Sequence, residues 1–325
     1  MLLKKQFRNK QRGTVEGNFV RAGNQCMKKL CLIYATCQGR AVEFFLNKSE
    51  AFRELYRIET IDNLFLIQSR ASLPVDALRK ADLFVCQPVS ARHGVYATEN
   101  FISYLSPLCK IISFPYIYND ALWPLFEGAG KIKGKEIIAS LVEEGMSLKE
   151  IVDMFCAGGI DFQFARRFRE SMAILRSKEL RTDVMVADFI ESKLSGEKLF
   201  LTENHQTSSV YIHCVNQMLD ILCLPRLSLP ENLHPNEASL PDCWPQSPYE
   251  TKFYGQGYRY DWRTFHPDKK DSNWHRFHLN IIGKIYFSHP MPWFRRVFWQ
   301  VYLRLRIKWS LMTGAGYLNG QGNFF

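Results

Sequence analysis

The sequence predicts an α/β fold with a mostly parallel sheet and helices on both of its faces. From Lys28 onward, short apolar runs alternate with helical stretches. Strands that are apolar on both faces and separated by helices are typical of a parallel sheet covered on both sides. Of the 325 residues, 46% are hydrophobic and 14% aromatic, which is enough for a packed core.

Four strands are expected in the first part of the chain. Their predicted ranges are 28–36, 63–68, 82–89 and 110–117, with a helix over 38–47 and a short helix over 74–80 between them. Right-handed crossovers would bring the loops that follow these strands to one edge of the sheet. Binding sites of open α/β sheets form at that edge.

A helical insert is expected over about 128–195. Within it the sequence predicts a helix over 131–144, a helix start at Ser147-Leu148-Lys149-Glu150, and a long helical stretch over 161–193 with a break near Thr182-Asp183. The spacing of Ser147 and Glu150 allows each side chain to bond the other residue's free amide. After the insert, a returning strand over 199–201 precedes a helix over 208–222.

The ends of the chain differ from its body, residues 28–225. Residues 1–27 form a basic N-terminal extension, and residues 226–325 form a Pro-rich linker followed by a basic, aromatic extension. Apolar residues recur at helical spacing over 293–311, with arginines between them, as in helices that lie on an anionic membrane. Alternatively, this helix packs on the body and the basic ends are simply solvated.

Several classes of protein are disfavoured. The nine cysteines are scattered without a CxxC pair, which indicates reduced thiols in the cytoplasm. The start lacks the apolar region of a secretory signal, and no apolar stretch is long enough to cross a membrane. His266, His275, His278 and His289 lack the spacing of a zinc site, so we expect no metal. No nucleotide-binding or nucleic-acid-binding motif is present, so we expect no nucleic-acid partner.

The loop Thr36-Cys37-Gln38-Gly39 is the strongest candidate for a reactive centre. Cys37 stands where a buried strand turns into a helix, and Gly39 permits close approach of the backbone. Free amides and the dipole at a helix start lower a thiol pKa and stabilise an oxyanion. We therefore expect a reactive Cys37, with Gln38 and the Gly39 amide as oxyanion donors. The alternative is a structural cysteine, because this residue type is often buried.

Two further clusters follow predicted strands. Thr202-Glu203-Asn204-His205 comes after the returning strand, and the parallel sheet would bring His205 to the same edge as Cys37 as a general base. A lone loop histidine can equally be an ordinary surface residue. Gln87 follows the third strand, where it could donate to a carbonyl or a phosphate, or simply terminate the strand.

Five motifs in this order resemble the WcbI-like capsular polysaccharide biosynthesis proteins over roughly residues 28–225. The motifs are Thr36-Cys37-Gln38-Gly39-Arg40, Cys86-Gln87-Pro88-Val89, Pro115-Tyr116-Ile117-Tyr118-Asn119 with Trp123-Pro124, Ala187-Asp188-Phe189-Ile190, and Phe200-Leu201-Thr202-Glu203-Asn204-His205. The sequence has Thr36 where the family usually has Asn, and Gln206 where it usually has Pro.

The resemblance implies an acetyltransferase that uses acyl-coenzyme A to modify a sugar of a bacterial capsule or similar glycan. Cys37 and His205 would be catalytic. The residues expected to bind the oxyanion or substrate are Thr36, Gln38, Gly39, Arg40, Gln87 and Asn204. A glycan or lipid-linked sugar would be the acceptor, with the enzyme in the cytoplasm or at the inner face of the membrane. The alternative is a non-catalytic glycan- or membrane-associated binding protein that retains the fold.

Overall fold

The computed structural model describes residues 28–125, 127–128, 131–228 and 272–289. The basic N-terminal extension, most of the Pro-rich linker and the basic segment 293–311 lie outside the described residues. Their predicted roles therefore stay predictions.

Four parallel strands form the central sheet. They are β1 (Lys29–Ala35), β2 (Tyr56–Asp62), β3 (Leu83–Cys86) and β4 (Lys110–Ser113), in the order β2-β1-β3-β4. Alternate residues of the central strand β1 enter two separate cores, with Ile33 in one and Leu32 and Tyr34 in the other. Side chains of a strand point alternately to its two faces, so the sheet is buried on both sides, which confirms the predicted fold class.

Helices cover both faces of the sheet. In the first half of the chain these are α1 (Gln38–Leu46), α2 (Glu50–Leu55), α3 (Asn63–Ser69), α4 (Val75–Lys80), a 3-10 helix (Ala91–Tyr96) and α5 (Thr98–Ile102). In the second half they are α6 (Lys135–Glu143), α7 (Leu148–Cys156), α8 (Phe164–Glu179), α9 (Ala187–Lys193), α10 (Ser208–Ile221) and α11 (Ser272–Ser288). Side chains of α3, α4 and α5 enter the core of one face, whereas α1 and α6 to α11 share the other.

The predicted second strand is wrong. Residues 63–69 form helix α3, and the strand next to β1 is instead Tyr56–Asp62. A short apolar run does not distinguish a strand from a helix, and here the Asp62 side chain accepts a hydrogen bond from Phe65 N at 2.9 Å and starts the helix. The edge strand β2 is only partly buried, so its residues include the charged Arg57 and Glu59.

The first strand and helix meet closely at Gly39. A Cβ atom there would lie 2.9 Å from the Cβ of Ala35 and 3.3 Å from Cγ2 of Ile33. Only glycine lets α1 approach β1 this closely, which confirms the close backbone approach expected at Gly39. This contact fixes the position of the helix start at Cys37.

The helical insert departs from its prediction at one end. Lys131–Ile132 forms strand β6, paired antiparallel with β5 (Glu127–Gly128), and α6 begins only at Lys135. Gly134 precedes α6 with a φ of 67°, a left-handed conformation that favours glycine. The other expectations are confirmed: Ser147 and Glu150 cap α7 reciprocally, and the chain leaves α8 before Thr182.

The returning strand does not join the central sheet. β7 (Phe200–Thr202) pairs antiparallel with β8 (His205–Gln206) in a separate two-stranded sheet. The expectation that β7 belongs to the parallel sheet, and that this sheet brings His205 to the edge of Cys37, is therefore wrong. Instead, Asn204 in the turn between β7 and β8 hydrogen-bonds Gln38, which follows β1.

Helix α11 comes from the region predicted as a C-terminal extension. Its residues Ile282 and Ile285 are fully buried in the core that includes α6 and α7. This helix of the predicted extension thus contributes to the packed body. Among the described helices, none combines the length and apolar character needed to span a bilayer.

Candidate active site

Cys37 lies between β1 and α1 and is exposed to solvent. It is the residue that precedes the first turn of α1, and its side chain does not cap the helix. Its sulfur lies 3.9 Å from the side-chain nitrogen of Asn204, and the Thr36 side chain and nearby backbone amides favour the thiolate. The predicted position of Cys37, where a buried strand turns into a helix, is confirmed, and its reactivity stays a prediction.

Two buried glutamines form an amide network beneath this cysteine. The Gln87 Oε1 accepts from both the backbone N and the hydroxyl of Thr36, at 2.9 Å each. Gln87 Nε2 donates to Gln38 Oε1 at 2.7 Å. Gln38 Nε2 in turn donates to the carbonyls of Ile117 at 2.7 Å and Asn204 at 2.6 Å. The network joins the loops that follow β1, β3, β4 and β7.

The network corrects two predicted roles. Gln38 is fully buried and Gln87 almost so, and the amide groups of both are occupied by protein partners. The Gly39 amide is also occupied, since it donates to the Thr36 carbonyl at 2.8 Å. Gln38, Gln87 and Gly39 are therefore not free oxyanion donors in this structure, because a hydrogen cannot serve two strong acceptors fully. They hold the loops in place.

Asn204 is brought to Cys37 by this network. Its carbonyl accepts from Gln38, and its side-chain Nδ2 lies 3.9 Å from the Cys37 sulfur. Tyr116, a half-buried residue after β4, also lies near this centre: burial raises the pKa of its hydroxyl, and the Asn204 side chain opposes that rise. Asn204 is thus the predicted binding residue that the structure places directly against the thiol. Arg40 lies one helical turn further along α1 and is exposed.

The electrostatic setting of Cys37 differs from the prediction. Burial by the surrounding protein raises the pKa of the thiol by more than the Thr36 side chain and the nearby backbone amides lower it. Asp62, at the end of β2, adds a smaller rise. The expected low-pKa thiol is therefore wrong in direction, because desolvation of the thiolate outweighs the helix start.

His205 follows Asn204 and is half-buried. Burial lowers its pKa, so the imidazole is neutral at pH 7 and able to accept a proton. Its Nδ1 lies 2.8 Å from the hydroxyl of Thr202, which leaves Nε2 for another partner. In the described part of the chain, no hydrogen bond joins His205 to Cys37. The structure brings the two residues to the same loop cluster without direct contact.

A cluster of charged residues is built around Glu203, the residue that precedes Asn204. Lys133 contacts the carboxylates of Asp120 and Glu203 and the hydroxyl of Tyr118. Arg167 donates to Asp120 at 2.9 Å. Glu203 is almost fully buried, and burial raises the pKa of its carboxyl.

Sequence reasoning did not assign roles to this cluster. Tyr116 and Tyr118 occupy alternate positions after β4 within one family motif, which is only a weak indication of a site. Lys133 and Arg167 come from the helical insert, so the sequence does not place them beside these tyrosines. Among the described residues, no group of three or more His, Cys, Asp or Glu side chains is arranged to hold a metal ion.

Comparisons with known proteins give two matches. The family model described as polysaccharide biosynthesis enzyme WcbI matches residues 30–227. A solved structure of WcbI, described as a novel polysaccharide biosynthesis enzyme, is similar with a TM-score of 0.54 and 16% sequence identity, covering 80% of this chain and 98% of that chain. It is described as the native protein without a disulfide bond between coenzyme A and one of its cysteines. No curated protein matches this chain.

Proposed function

Because the chain belongs to the WcbI family of polysaccharide biosynthesis enzymes, we propose that it transfers an acyl group from acyl-coenzyme A to a sugar hydroxyl in bacterial capsular or surface polysaccharide synthesis. One observation carries the proposal. The Cys37 thiol is exposed where strand β1 meets helix α1, with the Asn204 side-chain amide 3.9 Å from its sulfur. Such a surface suits a thioester, whose sulfur and carbonyl oxygen need hydrogen-bond donors.

The residues around Cys37 fit coenzyme A. Its acyl thioester would supply an activated acyl group, and the similar solved structure is described as the native protein without a disulfide bond between coenzyme A and a cysteine. Arg40 provides an exposed cation one turn away on the same helix for the phosphates of such a ligand. Asn204 Nδ2 is the donor best placed for the carbonyl oxygen, since Gln38 and Gly39 are occupied.

His205 would act as the general base. Its neutral imidazole would take the proton of the sugar hydroxyl while the hydroxyl oxygen attacks the thioester carbonyl. The carbon–sulfur bond then breaks, and the proton passes to the leaving thiolate of coenzyme A. Thr202 would hold the ring through Nδ1, so that Nε2 faces the acceptor.

Cys37 has two roles open to it. As a nucleophile it would first take the acyl group and then pass it to the sugar. As a site thiol it would only contact the donor. The second role is favoured, because the pKa of Cys37 is raised and no base is hydrogen-bonded to it within the described residues. Intact-mass measurement after mixing with acetyl-coenzyme A separates the roles, since only the first adds an acetyl group to Cys37.

A coenzyme A titration followed by thermal unfolding tests the proposal. A ligand that binds only the folded protein raises its stability, by about 2.7 kcal/mol at a hundred times its Kd. Release of free coenzyme A from acetyl-coenzyme A, dependent on a nucleotide-sugar acceptor, would support transfer. Binding without release in the presence of any acceptor would favour a non-catalytic binding protein, and absence of binding would refute the proposal.

We also propose that the protein works in the cytoplasm at the inner face of the membrane, through residues 293–311. Basic residues near an anionic bilayer contribute about 1 kcal/mol each, and salt screens this attraction. We expect co-sedimentation with anionic liposomes at low salt, weakened at high salt. Truncation after Pro290 should abolish it while leaving α11, whose Ile282 and Ile285 are buried. No sedimentation at low salt would contradict the proposal.

A further inference from the structure

Two lysines lie over two stacked tyrosines beside the candidate active site. The rings of Tyr116 and Tyr118 are 6.3 Å apart with an interplanar angle of 17°. Lys133 Nζ lies 5.1 Å from the ring centroid of Tyr118, and Lys178 Nζ lies 5.1 Å from that of Tyr116. The two ammonium groups thus have equivalent positions over neighbouring rings. They differ in whether a carboxylate is paired with them.

Lys133 is neutralised by protein carboxylates. It forms ion pairs with Asp120 and Glu203, and Glu203 also accepts from the Tyr118 hydroxyl at 3.0 Å. Arg167 shares Asp120. The charge at this end of the tyrosine stack is therefore balanced within the fold, and no further anion is needed there.

Lys178 has no such partner. Its ammonium donates to the carbonyl of Tyr116 at 3.1 Å and lies over the ring, but within the described part of the chain no carboxylate pairs with it. Carboxylates of α8, α9 and the loop between them have other hydrogen-bond donors. Glu179 accepts from the amides of residues 186 and 187, Asp188 and Glu191 pair with Arg176, and Asp183 accepts from Ser113.

An unpaired cation in this position carries an energetic cost. Lys178 is half-buried, and burial lowers the pKa of its ammonium. A carbonyl and a ring face recover only part of the hydration that a buried charge loses. An anion from a bound ligand would recover the rest, because charge-assisted hydrogen bonds are about twice as strong as neutral ones.

The position of Lys178 links it to the reactive loop. Tyr116 stands between Pro115 and Ile117, whose carbonyls accept hydrogen bonds from the Gln87 and Gln38 amides beneath Cys37. Lys178 lies over the ring of that same tyrosine. A ligand whose reacting atoms lie at Cys37 therefore needs to extend only across Tyr116 to reach the ammonium.

We propose that Lys178 and Tyr116 form a phosphate-binding subsite beside Cys37. This subsite rests on the proposed function. Its ligand is a phosphate group, for which there are two candidate sources. The phosphate belongs either to the diphosphate of coenzyme A or to a phosphate-linked sugar acceptor. Arg40, an exposed residue in the first turn of α1, is a second cation near Cys37 in the sequence.

Calorimetric titration of Lys178→Met with coenzyme A and with pantetheine tests the first source. Methionine keeps the apolar stem and removes the charge. We expect coenzyme A to bind about ten- to a hundredfold more weakly, as for loss of a charge-assisted hydrogen bond, and pantetheine to bind unchanged. Lys178→Arg should restore most of the affinity. Lys48→Met is the matched control, because Lys48 lies 4.7 Å from the Phe44 ring at the far end of α1.

Titration with UDP-glucose and with glucose tests the second source. If Lys178→Met weakens UDP-glucose tenfold or more but leaves coenzyme A unchanged, the phosphate belongs to the acceptor. If the variant binds coenzyme A and UDP-glucose as the wild type does, the subsite is refuted while the proposed function stands.

Inorganic pyrophosphate keeps the two proposals separable. Should the wild-type protein bind neither coenzyme A nor pantetheine, the proposed donor is wrong. The subsite then stands only if pyrophosphate raises the Tm of the wild type and of Lys178→Arg by more than that of Lys178→Met. Equal shifts in all three proteins, or none in any of them, would refute it.

Discussion

Cys37 and Gln38 are neighbours in sequence and opposites in environment. Cys37 is exposed and bonded weakly, whereas Gln38 is fully buried and its amide bonds Gln87, Ile117 and Asn204. Successive residues of a helix point about 100° apart, so the first turn of α1 sends one side chain to the solvent and the next into the sheet edge. The chain thus separates the reacting group from the group that positions it.

The difference predicts opposite consequences for the two residues. A buried amide with several partners supports stability, because each partner that loses it keeps an unpaired buried group. An exposed thiol with few partners supports chemistry and contributes little to stability.

Gln38→Leu should destabilise the protein by about 3 kcal/mol or more, since buried carbonyls and amides from three loops lose their partner. Asn204 would also lose its anchor beside Cys37, so coenzyme A binding should weaken. Urea unfolding measures the first effect and calorimetry the second. Gln68→Leu, on the exposed surface of α3, is the control and should change stability by less than about 0.5 kcal/mol. Equal effects of both variants would contradict the network's role.

Gly39→Ala should cost about 1–3 kcal/mol, because the new methyl group would lie 2.9 Å from the Ala35 Cβ in the rigid sheet. Helix α1 must then move away from β1 and carry Cys37 with it. The control is Gly196→Ala, where a Cβ meets no atom within 4 Å. Thermal unfolding of both variants gives the comparison. An unchanged Tm in Gly39→Ala would mean that α1 shifts freely.

These two sites show which parts of the molecule the sequence could predict. β1, α1, the Ser147–Glu150 cap and the close approach at Gly39 depend on neighbouring residues, so their patterns were sufficient. The role of Gln38 was not predictable, because its partners Ile117 and Asn204 lie 79 and 166 residues away. A sequence pattern gives no information on which distant carbonyl occupies an amide.

The elements that were predicted wrongly have a similar cause. Residues 63–68 are apolar enough for a strand, but they form a helix whose first turn is capped by the Asp62 side chain. The sequence predicts that the returning strand joins the parallel sheet, whereas β7 pairs with β8 in a separate sheet. The sequence nevertheless predicts that the loop of His205 lies near Cys37. It does not predict that Lys178 lacks a carboxylate partner, because that depends on the hydrogen-bond partners of every neighbouring carboxylate.

His205 should give a moderate pH dependence. Its pKa in the folded protein lies below the ordinary 6.5 because of burial. As the pH falls below 6.5, the unfolded chain takes up this proton first, so the free energy of unfolding decreases between 6.5 and the folded-state pKa. Transfer activity should fall in the same direction as the base becomes protonated. NMR titration of the imidazole, assigned with His205→Asn, measures the pKa. A pKa above 6.5 would contradict burial as its cause.

The smallest effect on stability is expected at Cys37 itself. Cys37→Ala removes an exposed side chain, so the free energy of unfolding should change by less than about 0.5 kcal/mol, even if transfer activity is lost. The thiol's own reactivity is the sharper measurement. Because burial raises its pKa, alkylation by iodoacetamide should reach half its maximal rate above pH ~8.5, the value for a free thiol.

Thr36→Val provides the internal test of that alkylation profile. It removes the hydroxyl of the Thr36 side chain, which lowers the pKa of Cys37, so the midpoint should move to still higher pH. Peptide-resolved labelling keeps Cys223, another exposed cysteine, as the reference within the same sample. A midpoint well below 8.5 in the wild type would show that the helix start outweighs burial. Cys37 would then be a thiolate at neutral pH, and an acyl-cysteine intermediate would become the favoured mechanism.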